Sequence, residues 1–97
     1  MADMAKIISD INEHVARSRR SHSDWYVGIA TDIKQRLFGD HNVDQDGWWI
    51  YRIADDEKVA RETEAKLLDE FGYDGGIGGG DHPIYVYAFL KTSSTRR

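Results

Sequence analysis

Along residues 4–18 apolar side chains recur at helical spacing: Ile7, Ile8, Ile11 and Val15 share one side, with Asp10, Glu13 and Arg17 on the others. That period predicts an amphipathic helix burying one stripe. Residues 19–24, RRSHSD, are polar and break the pattern. WYVGIA, residues 25–30, is short, aromatic and β-branched between polar flanks, which predicts a strand. Thr31 and Asp32 suit a helix cap, and Ile33 and Leu37 are four apart in the IKQRLF that follows, so a short helix ending near Gly39 is expected. HNVDQDG reads as a loop, and WWIYRIA, residues 48–54, as a second strand. Its adjacent Trp48 and Trp49 face opposite sides, one toward the core and the other expected to be partly buried under a helix, with exposure and stacking on a base as the alternative.

Asp55 and Asp56 are natural first-turn residues for a second long helix, because a carboxylate satisfies free amide groups there. Val59, Ala60, Thr63, Leu67 and Phe71 form its stripe, and Gly72 is placed to end it. Residues 72–83 are glycine-rich and read as a flexible linker. The run GGIGGG is not a phosphate loop, since such loops follow a strand and open a helix, whereas this one follows a helix. IYVYAFLK, residues 84–91, is the third strand, and 92–97 is a frayed tail. The expectation is one α/β domain over 1–97 with a small three-stranded, mainly antiparallel sheet flanked by helices.

Composition narrows the function classes. There is no cysteine, which excludes disulfides, thiolate metal sites and a cysteine nucleophile. His14, His22, His41 and His82 show no metal-ligand spacing. No apolar run approaches the ~18 residues of a membrane span, so a soluble cytoplasmic protein with no membrane partner is expected. The net charge of −4 argues mildly against nonspecific binding to nucleic acid. The cations cluster, however, at Arg17, Arg19 and Arg20 and again at Lys91, Arg96 and Arg97, the second group reading as a solvated tail.

YVGIATDIKQRLFGDH places a strand with Tyr-x-Gly before a polar cap and a helix carrying a basic residue. Further on, Glu64-Ala-Lys-Leu-Leu lies in the second long helix. This ordered set resembles the GIY-YIG nuclease domain, over about residues 24–71. The resemblance implies that Tyr26 and Gly28 belong to the second motif, that Arg36 is the catalytic arginine, and that Glu64 binds one Mg²⁺ or Mn²⁺. The family's first strand should precede Tyr26, where this chain is helical and then polar. PIYVYAFLKTSS reads like that strand moved to the C-terminal end, a circular permutation. Tyr87 is then the first-motif tyrosine, with Tyr85, two residues away on the same face, as the alternative. The family often has His or Tyr four residues after the arginine. Asp40 stands there, and His41 follows one later. One residue rotates a helical side chain by about 100°, but a helix ending at Gly39 would still let His41 turn inward.

The resemblance implies a metal-dependent endonuclease acting on DNA or RNA phosphodiesters, with Tyr26, Arg36, Tyr87 and His41 catalytic and Gly28 and Tyr85 against substrate. Two other readings stand beside it. One is a GIY-YIG-like module that binds nucleic acid or protein without cleaving. The other is an interaction domain, dimeric through its N-terminal helix, in which the tyrosines are sheet aromatics and Arg36 and Glu64 form a structural ion pair.

Overall fold

The computed structural model describes residues 2–76 and 82–97. Helix α1, Met4–Ser18, opens where Asp3 accepts a hydrogen bond from the Lys6 amide at 2.9 Å. It closes at Arg19, whose left-handed φ of 60° carries the chain off the helix. Strand β1, Trp25–Ala30, follows a single 3₁₀ turn at His22–Asp24. Strand β2 is Trp49–Ile53. Helix α2, Glu57–Phe71, is capped by Asp56 on the Val59 amide at 2.8 Å and ended by Gly72 at φ 77°, a conformation that favours glycine. Two residues later comes β3, Asp74–Gly75, and then β4, Tyr85–Leu90.

The sheet has four strands in the order β2-β4-β1-β3, not three. β4 pairs antiparallel with both β1 and β2, and β3 pairs parallel with β1. The expected pairing of the last strand with the first is therefore present, with Tyr26 opposite Phe89 and Gly28 opposite Tyr87. The added strand β3 lies inside the segment read as a flexible linker, and Asp74 and Gly75 sit opposite Tyr26 and Val27. The rest of that glycine run, residues 77–81, lies outside the described residues.

Side-chain alternation divides the two faces of the sheet. Trp25, Val27 and Ile29 of β1 join Val86, Ala88 and Ile50 beneath Ile7, Ile11 and Val15 of α1 and Ala60 and Leu67 of α2. Each of these large aliphatic groups gains about 1.5–3 kcal/mol by leaving water, so this face accounts for most of the core. Thr63, buried among them, satisfies its hydroxyl on the Val59 carbonyl at 2.6 Å. The opposite face carries Ala30, Tyr87 and Phe89 under Ile33, Leu37 and Val43. The tryptophan pair splits as expected between the faces. Trp48 lies edge-on to His14 and stays 43% exposed, while Trp49 packs against Phe38 on the other side. Among the described residues no helix is long and apolar enough to cross a membrane.

Candidate active site

The cover of the second face begins as foreseen, with Asp32 accepting from the Gln35 amide at 3.1 Å. It then departs from an α-helix. Residues Gln35–Asp40 form a π-helix, and the His41 amide donates to the Arg36 carbonyl, five residues back, at 3.0 Å. Gly39 lies inside this element and does not end it. A π turn accommodates one extra residue per turn without moving what lies on either side. Here it absorbs the one-residue excess between Arg36 and His41, and His41 ends buried, 4% exposed, over the sheet.

Two hydrogen bonds fix the His41 ring. Nδ1 lies 2.6 Å from the Arg96 carbonyl, which only accepts, so Nδ1 carries the proton. In the neutral ring Nε2 is then an acceptor, and the Tyr87 hydroxyl donates to it at 2.7 Å. Burial lowers the His41 pKa, aided by the Arg36 charge and opposed by the Arg96 carbonyl and Asp40, so the ring is neutral near pH 7.

Tyr87 is 1% exposed, and its ring lies over the backbone of Gly28. A Cβ at Gly28 would stand 2.4 Å from the Tyr87 hydroxyl oxygen, so the Tyr-x-Gly glycine makes room for the other tyrosine. This packing gives Gly28 a role apart from the substrate contact expected of it. Of the two tyrosines on β4, Tyr87 enters the cluster. Tyr85 packs edge-on against Tyr51, toward the β2 side. Tyr26 tilts against His41 and stacks on Phe89. Burial raises the pKa of both Tyr26 and Tyr87. The charges of Asp74 and Glu64 add to the rise at Tyr26, while those of Arg36 and Arg97 oppose it. At Tyr87 the charges of Tyr26 and Glu64 add to the rise, while the Arg36 charge and a hydrogen bond from the Arg36 side chain oppose it. The four residues singled out from sequence, Tyr26, Arg36, Glu64 and Tyr87, thus share one electrostatic neighbourhood.

Arg36 and Glu64 do not pair with each other. Arg36 Nε meets Asp40 at 3.4 Å, within its own turn. Glu64 has no ion pair among the described residues, and burial lifts its pKa to about 7, opposed by the Arg61 charge. A half-buried carboxylate without a cation suits one ligand position of a hard divalent ion that keeps most of its waters. No group of three or more potential ligands gathers among the described residues.

The C-terminal segment is not frayed. The Arg96 amide donates to the His41 carbonyl at 2.7 Å, and Asn42 Nδ2 donates to the Ser94 carbonyl at 2.9 Å. Lys91 and Arg97 both pair with Asp74, at 3.0 and 3.2 Å. Asp74 and Arg96 are the site residues that sequence reasoning missed. Asp74 sat in the glycine-rich run, and Arg96 acts through backbone atoms that carry no residue signature. Comparison with protein-family models, curated proteins and solved structures finds no match for this chain.

Proposed function

We propose that this chain is a GIY-YIG-like endonuclease, permuted so that the strand bearing the first-motif tyrosine follows the rest of the domain. The observation that carries the reading is a histidine hydrogen-bonded to Tyr87 and packed on Tyr26, with the charges of Arg36 and of Glu64, which has no ion pair among the described residues, acting on both tyrosines. The substrate class is a DNA or RNA phosphodiester.

Phosphodiester hydrolysis needs an activated water, a cation at the leaving oxygen, and donors aimed at the charge that develops on phosphorus. A divalent ion held by Glu64, Mg²⁺ or Mn²⁺, would supply the Lewis acidity. Arg36 presents a planar fork of donors suited to the scissile phosphate, and Asp40 steadies that fork through Nε. With raised pKa values Tyr26 and Tyr87 are phenols at neutral pH, not phenolates. Tyr87 therefore serves as a relay: its oxygen accepts a proton from the attacking water as its own proton passes to His41 Nε2. Neutral His41 is the terminal base of that chain.

The net charge of −4 favours the second reading, a module that binds without cleaving. Plasmid nicking and cleavage of single-stranded DNA or RNA, assayed with Mg²⁺ and with Mn²⁺, decide between them. The nuclease reading expects cleavage that falls at least about 100-fold in Arg36→Ala while binding persists. Binding with no cleavage in either ion would leave the recognition module.

A further inference from the structure

We infer that the C-terminal strap, residues 92–97, is a working part of the site, and that the main chain of Arg96 is the group that positions His41 for proton transfer. The inference uses the nuclease reading only for its catalytic consequence. The orientation of His41 stands apart from it.

A neutral imidazole has two tautomers, and its partners choose between them. Among the described residues the acceptor bonded to Nδ1 is the Arg96 carbonyl, at 2.6 Å. Tyr87, on the other nitrogen, is a hydroxyl able to donate or accept, so it imposes no choice. Selection therefore falls to Arg96. With Nδ1–H committed to that carbonyl, Nε2 offers a lone pair and the Tyr87 proton points at it. In the opposite tautomer Nε2–H would donate to Tyr87, the phenol proton would turn away, and the relay from water to His41 would be closed.

The strap is built to hold this one contact. The Arg96 amide returns a second bond to the His41 carbonyl, so the two residues grip each other through three backbone groups and one ring nitrogen. Thr92 and Thr95 close the turn before it, with the Thr92 amide on Thr95 Oγ1 at 3.0 Å. The Ser94 carbonyl is tied to the side chain of Asn42, which follows the π-helix end in a left-handed conformation at φ 54°. Arg97 is drawn to Asp74 beside Tyr26 and adds a second cation to the neighbourhood of Arg36. The groups facing His41 are thus Tyr26 and Phe89 from the sheet, Tyr87 on Nε2, Arg36 and Asp40 from its own turn, and the strap.

The test is the ¹⁵N signature of the His41 ring in the full chain, beside Arg96→Ala and a chain stopped after Thr95. Wild type is expected to show a protonated Nδ1, a bare Nε2 and a slowly exchanging Tyr87 hydroxyl proton. Arg96→Ala keeps the carbonyl and should leave all three signals in place. Stopping after Thr95 should remove the hydroxyl signal and let the ring populate the other tautomer, with backbone amide spectra reporting that the sheet persists. If wild type holds the proton on Nε2, or the shortened chain keeps the wild-type signature, the inference fails whether or not the protein cuts nucleic acid. Should wild type cleave, the shortened chain is expected to lose kcat more than KM. An unchanged kcat in a shortened chain that has lost the tautomer would also overturn the assignment.

Discussion

Gly28→Ala is the substitution in which the register of the sheet and the chemistry of the site meet. The new Cβ would lie 2.4 Å from the Tyr87 hydroxyl oxygen and 2.6 Å from the ring carbon that bears it. To restore van der Waals distance the ring tip must move by about 1 Å, which costs roughly 1–3 kcal/mol in a packed interior. The same movement stretches the 2.7 Å bond to His41 beyond hydrogen-bonding range. Both partners are buried, so the lost bond adds about 1–3 kcal/mol. Replacing a strand glycine returns roughly 0.5–1 kcal/mol through the unfolded chain. The net expectation is a loss of about 1–5 kcal/mol, or a Tm lower by roughly 5–40 °C for a domain of this size. Urea unfolding followed by tryptophan fluorescence, where buried Trp25 reports the core, gives the stability change directly. In a Tyr87→Phe background the bond is already gone, so the added cost of Gly28→Ala should shrink by about 1–2 kcal/mol. A Gly28→Ala protein within about 0.5 kcal/mol of wild type, or strictly additive costs, would refute the packing argument.

Deleting Gly39, an exposed residue of the π-helix, should convert its i+5 bond into an α-helical one and keep His41 in place. The deletion protein is expected to fold with stability within about 1 kcal/mol of wild type by thermal unfolding, and to keep the His41–Tyr87 ring signals. Loss of those signals would show that the extra residue does more than set register. Glu64 sets a pH dependence of known sign. Its folded pKa of about 7 lies above the ordinary carboxyl value, so both states are protonated in acid and no deficit exists. As pH rises from 4.5 toward about 7 the unfolded chain ionises first and folded stability falls. Allowing for the half-exposed position, Glu64→Gln should stabilise by about 1–2 kcal/mol at high pH and by nothing near pH 4, read by denaturant titration across pH. A variant less stable than wild type in alkali would mean that the carboxylate has a partner.

Much of the fold was legible because it rests on side-chain period. The stripe of α1, the alternation of β1 and β4, and the Asp56 and Gly72 caps each follow from residues within one turn of where they act. The parts that were not legible rest on main-chain geometry. β3 is two residues long and pairs through amides and carbonyls, which a glycine-rich segment does not advertise. A π turn and an α turn have nearly the same apolar spacing over six residues, so the orientation of His41 was open until the bond to Arg36 was seen. The strap was hidden for the same reason. The choice between Tyr85 and Tyr87 also lay beyond a face argument, because both point the same way. Register set only which of the two enters the cluster, by placing Tyr87 opposite Gly28 and Tyr85 opposite Ala30.

The position of β4 also governs how the chain reaches this structure. β1 and β2 are not neighbours in the sheet; β4, which follows both in sequence, lies between them and pairs with each, and β1 has only the two-residue β3 on its other side. A strand order of this kind allows no early hairpin. Some sixty residues separate the partners of the β1–β4 ladder, and closing so long a loop must precede any reward from the pairing. Until β4 arrives, WIYRI has no strand partner among the described residues and WYVGIA has only the two residues of β3. The domain is therefore expected to fold in one late, cooperative step, and the interval before that step is when its strands are most open to pairing with the wrong neighbour.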